Sequence, residues 1–191
     1  NSKKNGIQCP VRVKNIKGEY IQTLKKKKLA IFSFIEGNSI SNWESKHCKQ
    51  VGKKLAEFHQ ANLNNPETLE NDFSIDYWKL IFFKYKNNIN NIIPNSDKII
   101  EAEVDYVSRN WPRELPSGII HADLFPDNVF FSKDKVSGFL DFYFSCNDYF
   151  SYDLAITINA WCFKHGVFSH KLFSNIIRGY QGVRKLESSE K

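Results

Sequence analysis

Methionine is absent from the 191-residue chain, and so are a glycine-rich run, a CxxC pair and a low-complexity linker. Each absence excludes something. With no Met at its start, the chain reads as truncated at its N-terminus. No stretch approaches the roughly eighteen uninterrupted apolar residues of a membrane-spanning helix, so no transmembrane segment and no membrane partner is expected. The opening NSKKNGIQCP has no apolar core behind its lysines and does not read as a secretory signal. Cys9, Cys48, Cys146 and Cys162 are scattered, which suits inert thiols in a reducing cytoplasm rather than a disulfide framework. CFKH, Cys162 to His165, has no second pair at ligand spacing and makes a poor metal motif.

What is present points to a folded enzyme-sized unit. A 41% hydrophobic and 15% aromatic composition is too apolar for a disordered chain. The net charge of +6 would suit an anionic partner, yet abundant Lys, Asn and Ile account for it as compositional bias, and no nucleic-acid partner is expected. The four lysines Lys25–Lys28 separate two strand-like runs, EYIQTL and LAIFSFI, and read as a solvated hairpin turn.

The hydrophobic period changes along the chain. Residues 9 to 35 read as strands and turns, ending at Gly37. Ser41 and Glu44 then form an S-x-x-E capping box that should open a helix carrying Val51, Leu55 and Phe58 on its buried face, with Trp43 and His47 as possible additions. A second, aromatic helix is expected over residues 75–93. A third is expected from Ser96, striped with Ile100, Val104, Val107 and Trp111 and stopped by Pro112 and Pro116. Two more helices should cover Tyr152–Phe163 and Ser169–Gly182. The fold class is therefore α+β, a small β-rich piece followed by a mostly helical body.

Chemistry concentrates in GIIHADLFPDNVFF, Gly118 to Phe131, where an apolar strand delivers His121, Asp123, Asp127 and Asn128 before turning apolar again. A further strand, VSGFL, follows the polar turn SKDK and ends at Asp141. The midpoint of positions 128 and 141 falls inside that turn, so Asn128 and Asp141 are expected to face each other across a hairpin. Opposed residues of an antiparallel pair have Cβ atoms about 4.5–5.5 Å apart, a spacing that lets two oxygen ligands converge on one Mg²⁺. Asp123 lies in the loop, within reach of such a site without being a ligand, where a carboxylate can accept the proton of an attacking hydroxyl. His121 reads as a buried, hydrogen-bonded support of the loop rather than a catalyst.

HADLFPDN followed by GFLDF resembles the kinase-like phosphotransferases that include aminoglycoside and choline kinases. The longer runs LDFYFSCNDYFSYDLAI and NAWCF resemble, within that group, the enzymes that phosphorylate homoserine on the way to threonine. The resemblance implies a protein-kinase-like fold, with 1–36 as the end of an N-terminal lobe and its hinge, and 37–191 as a C-terminal catalytic lobe truncated at both ends. It implies ATP and Mg²⁺ as cofactors, L-homoserine as substrate, Asp123 as catalytic base, and Asn128 and Asp141 as metal ligands. Asp153 in YDLA would hold the catalytic loop, and the backbone of Ser33 and Ile35 in IFSFIEG would meet the adenine edge. Lys3 and Lys4 lie too late in the small lobe to be the family's phosphate-binding lysine, and no glycine-rich phosphate loop precedes residue 31, so this stretch alone is expected to transfer phosphate poorly. Asp127 or Asp148 could pair with a substrate ammonium group. Two alternatives stay open. One is a choline, ethanolamine or aminoglycoside kinase, although choline-type enzymes carry an acid where this chain has Tyr143. The other is a non-catalytic kinase-like module, which would usually have lost one of Asp123, Asn128 and Asp141.

Overall fold

A computed structural model describes residues 8–191, so Lys3 and Lys4 lie outside the described residues. The chain opens with β1 (Arg12–Val13), β2 (Ile21–Leu24) and β3 (Lys27–Phe32), an antiparallel sheet in the order β1-β3-β2. Lys25 and Lys26 join β2 to β3 with φ of 47° and 66°, the left-handed backbone of a two-residue hairpin turn. The helices α1 (Ser45–Asn62), α2 (Ile75–Ile89) and α3 (Ser96–Asn110) follow. Next come β4 (Ser117–Ile120), β5 (Val129–Ser132), β6 (Lys135–Phe139), β7 (Cys146–Tyr149) and α4 (Phe150–Trp161). The hairpin β8 (Phe163–Lys164) and β9 (Val167–Phe168) leads into α5 (His170–Gln181). The architecture is mixed α+β, as the periodicities imply, and no helix among the described residues is long and apolar enough to cross a membrane.

Three local expectations need correcting. Helix α1 begins three residues later than the Ser41–Glu44 box implies: Glu44 is itself the N-cap, its backbone N–H donating to Nδ1 of His47 at 2.9 Å. Trp43 is pulled out of the helix because its indole N–H donates to the Trp161 carbonyl at 2.7 Å. Strand β7 has no alternating signature in CNDY, yet it pairs antiparallel with β4 from Ser117↔Tyr149 to Ile120↔Cys146. The third correction concerns the β5–β6 hairpin. Its turn is the two-residue Lys133–Asp134 pair (φ 48° and 61°), and a bulge between Phe130 and Phe131 shifts the register. Asn128 therefore faces Leu140, whose N–H donates to the Asn128 carbonyl at 2.9 Å, and Asp141 lies two residues beyond the end of β6.

Helix α1 ties these pieces together. From its first turns Lys46 and Gln50 hold Asp134 at the tip of the β5–β6 hairpin, at 2.7 and 2.6 Å. Asn38 pairs with Phe131 through both backbone bonds (2.9 and 3.1 Å), stitching the segment that leaves the small sheet to strand β5. The core joins Val51, Leu55 and Phe58 of α1 to Leu154 and Trp161 of α4, Val129 and Phe131 of β5, and Leu172, Ile176 and Tyr180 of α5.

The α1–α5 crossing brings backbone against backbone. A Cβ on Gly52 would stand 2.1 Å from the Ile176 carbonyl oxygen, and one on Gly179 would stand 2.0 Å from that of Lys49. Neither obstacle is a movable side chain, so the helices would have to separate. Gly179→Ala is expected to lower the unfolding free energy by about 1–3 kcal/mol, measured by urea denaturation; a change within the error of the fit would show that the crossing is looser.

One polar pair is sealed in this core. His59 and Asp153 are fully buried, with His59 Nε2 at 2.9 Å from Asp153 Oδ2. Burial drives the pKa of His59 below its usual value, against the pull of Asp153. The sign follows directly: as pH falls through the usual histidine range near 6.5, the unfolded chain binds a proton that the folded chain refuses. Stability should therefore drop on acidification from about pH 7.5 to about pH 5.5, by up to about 1.4 kcal/mol per pH unit from His59. His59→Gln should flatten that slope in denaturation curves; an equal slope would assign it to other groups.

Candidate active site

The loop after β4 is built on backbone that few residues adopt. Ala122 has φ 63° and Asp141 has φ 55°, left-handed conformations that surrounding bonds must hold in place. Asp153, in the first turn of α4, supplies those bonds at Ala122. Its Oδ2 accepts the His121 N–H at 2.8 Å and its Oδ1 accepts the Ala122 N–H at 2.9 Å. Burial alone would raise the pKa of Asp153, but the hydrogen bonds from the His59 ring and the His121 amide hold it below the usual carboxylate value. The carboxylate is thus ionised inside the protein.

His121 links the loop to the strand that leads to Asp141. Its Nε2 lies 2.9 Å from the Leu140 carbonyl oxygen, which can only accept, so Nε2 carries the proton. Burial lowers the ring's pKa and keeps it neutral, which leaves Nδ1 to accept the Asp123 N–H at 3.3 Å. One ring therefore sets the spacing between Asp123 and the Leu140–Asp141 corner.

Asn128 fixes Asp123 from the other side, donating through Nδ2 to the Asp123 carbonyl at 2.8 Å and to its Oδ2 at 3.0 Å. Burial raises the pKa of Asp123; the Asn128 bond opposes the shift, while the negative charges of Asp141 and Asp127 add to it. A carboxylate made more basic in this way is suited to taking a proton. With Nδ2 engaged, the Asn128 side-chain oxygen meets no donor among the described residues, where Asp141 commits only Oδ1, weakly, to the Tyr143 N–H at 3.4 Å. One amide oxygen and one carboxylate form a hard donor pair of the kind Mg²⁺ accepts. Among the described residues no group of three or more His, Cys, Asp or Glu converges, so such an ion would need further oxygens from a phosphate or water.

Two cavities flank this group. The larger, about 940 Å³, runs from Val11 and Arg12 past Ser33, Phe34 and Ile35 to Phe130, Asp141, Phe142 and Tyr143. Ser33 gives its N–H to the Val11 carbonyl at 2.8 Å, which leaves its own carbonyl free of that bond, and Ile35 is buried in the wall. The smaller cavity, about 260 Å³, is lined by Asn71, Phe73, Trp78, Ala122, Asp123, Phe144 and Tyr152 and opens to solvent. Its roof is the α1–α2 connection, clamped along β7 by two bonds between Leu69 and Asn147 (2.6 and 2.8 Å) and by the ring contact of Phe73 with Phe144. Asn71 holds Asp148 Oδ2 at 2.6 Å beside this cavity. Asp127 is exposed and is not part of its lining.

Asn71, Phe73 and Trp78 carry no sequence motif, because their approach to Asp123 depends on how the loop lies along β7. His59 did leave a signal: it follows Leu55 by four residues and so falls on the buried stripe of α1. A polar residue on that stripe requires a buried partner.

The family model for a phosphotransferase enzyme family matches residues 3–186. A homoserine kinase of Parvibaculum lavamentivorans is 42% identical over 186 residues, 97% of this chain, and one of Agrobacterium fabrum is 40% identical over the same length. The chain spans 58% of the length of each of these relatives. Among solved structures, an amicoumacin kinase in complex with AMP-PNP, Ca²⁺ and Ami aligns with a TM-score of 0.75 at 15% identity, covering 97% of this chain and 59% of that one. A spectinomycin phosphotransferase in complex with ADP and spectinomycin aligns at 0.71 with 18% identity, covering 98% and 63%. These likenesses give the chain a kinase-like phosphotransferase fold, and the match along 3–186, together with relatives about 40% identical, makes it a member of the phosphotransferase enzyme family.

Proposed function

We propose that the protein containing this chain transfers the γ-phosphoryl group of ATP to the side-chain hydroxyl of L-homoserine. The observation that carries the reading is that Asp123 lines the smaller cavity while Asp141 lines the larger. Asp123 accepts the hydroxyl proton as the oxygen bonds to phosphorus and the bond to ADP breaks. Asn128 orients that carboxylate, and the burial that raises its pKa favours the transfer. Mg²⁺ would be held by the Asn128 oxygen and Asp141 and would offset charge on the phosphates. ATP would occupy the larger cleft, its adenine edge against the backbone of Ser33 and Ile35. His121 and Asp153 keep the loop in register. Residues 1–36 act as the end of a small nucleotide-side lobe and 37–191 as the catalytic lobe.

The acceptor follows from size and charge. At about 260 Å³ the smaller cavity falls below the usual range for drug-sized ligands, about 300–1,000 Å³. Its walls are largely aromatic, and a space of that size suits a single small amino acid. The homoserine kinase relatives support the same choice. Neither Asp148 nor Asp127 lines the cavity itself, but Asp148 is bonded to the lining residue Asn71 and pairs with the substrate ammonium group; Asp127, exposed and without such a link, is the weaker of the two candidates. This cavity also speaks against a purely non-catalytic module, since Asp123 is the acid in its lining.

In a coupled ADP-release assay on the full-length protein, homoserine should be turned over in preference to choline and kanamycin-like acceptors. Preference for either competitor would overturn the assignment. Asp123→Asn should lower kcat by about 10²–10⁴, and an unchanged kcat would place the base elsewhere. Asp148→Asn is expected to raise KM for homoserine about tenfold or more while sparing the des-amino analogue, a loss of one charged contact. Equal losses for both acceptors would remove Asp148 from that role.

A further inference from the structure

Behind the loop, five side chains form a continuous hydrogen-bonded file through the core. Glu190, its side chain fully buried, takes two bonds from the Arg184 guanidinium at 2.9 and 3.0 Å. Arg184 Nη1 also lies 3.2 Å from Tyr180 Oη. Tyr180 Oη is 2.7 Å from His59 Nδ1, and His59 Nε2 is 2.9 Å from Asp153. The file ends on the His121 and Ala122 amides.

Its polarity can be assigned bond by bond. An ionised Asp153 only accepts, so His59 Nε2 carries a hydrogen. The buried ring is neutral, so Nδ1 accepts and the Tyr180 hydroxyl donates. Tyr180 then accepts from Arg184, which can only donate. From Arg184 onward every bond points toward Asp153, an arrangement in which neighbouring bonds polarise one another.

Tyr180 and His59 are wholly buried, and Phe and an aliphatic residue would fill the same volumes without the cost of desolvating polar groups. The far end of the file sets Ala122, the left-handed residue directly before Asp123. We propose that His59 and Tyr180 are positioning residues for phosphoryl transfer. They fix the Asp153 carboxylate, and through it the backbone that presents Asp123, while Arg184 and Glu190 anchor the file and make segment 184–190 part of the device. The proposal rests on the reading of Asp123 as the base.

The test uses Tyr180→Phe and Arg184→Met in the full-length protein. Tyr180→Phe should lower kcat about tenfold, the usual scale for outer residues that orient a reacting group, with KM for ATP unchanged. Amide hydrogen exchange at His121 and Ala122 should speed up while the α5 amides keep their protection. Arg184→Met should act in the same direction, and the double variant should be little slower than Tyr180→Phe alone. A lower melting temperature with kcat and loop-amide exchange both unchanged would reduce the file to scaffolding and overturn the proposal. Should the parent protein phosphorylate no amino alcohol, the functional reading fails; exchange at His121 and Ala122 then decides the proposal alone, faster exchange upholding it and unchanged exchange refuting it.

Discussion

A single buried carboxylate, Asp153, determines whether the 121–128 loop has a defined shape. Placing an ion where water cannot reach is costly unless every lone pair finds a donor. Here the donors are two consecutive backbone amides and one imidazole, and the first turn of α4 adds the favourable end of its dipole. The dependence is mutual. The two amides belong to a segment whose left-handed residue would relax without them, and the carboxylate would take up a proton without the amides and the ring. Strain in the loop and charge in the core stabilise each other.

Two rings extend that hold in different directions. His121 passes it forward, joining the Asp123 amide to the carbonyl before Asp141. His59 passes it back to Tyr180 and α5. Both rings are neutral because they are buried, and neutrality lets each donate at one nitrogen and accept at the other. A charged ring could only donate. The helix pair that carries His59 and Tyr180 is the one whose glycines allow direct backbone contact, so the close α1–α5 crossing brings the two side chains within hydrogen-bonding distance.

Much of this was legible in the sequence because it is local. The strand–loop–strand pattern around HADLFPDN places Asp123, Asn128 and His121 within eight residues, and periodicity found all five helices to within a few residues. The failures came from longer-range forces. The capping box at Ser41 lost to Trp43, which is tied to a residue 118 positions away. Asn128 and Asp141 are not directly opposed, because the tight turn is centred on Lys133–Asp134 rather than between Asp134 and Lys135, and the bulge at Phe130–Phe131 recovers only half of that shift. Strand β7 was unreadable since CNDY pairs through backbone, and the roof of the small cavity exists only where β7 meets the α1–α2 connection. Spacing along the chain thus revealed the acid and amide side chains, whereas the cavity walls were set by packing.

The backbone pairing of Asn38 with Phe131 has a mechanical consequence. Because Asn38 is bonded to the hairpin strand that begins one residue after Asn128, it moves with the helical body. Upstream, Ser33 is bonded to Val11 and moves with the small sheet. The stretch before β1 is tied to the same body, Gln8 accepting the Phe139 N–H at 3.1 Å, so relative movement of the two parts is shared between residues 9–10 and the interval 34–37. That interval contains Gly37 at φ 126°, a backbone angle open to glycine and to few other residues. Both connections line the larger cavity, Cys9 and Pro10 from one and Phe34 and Ile35 from the other, so the shape of that cavity is set where the two parts join.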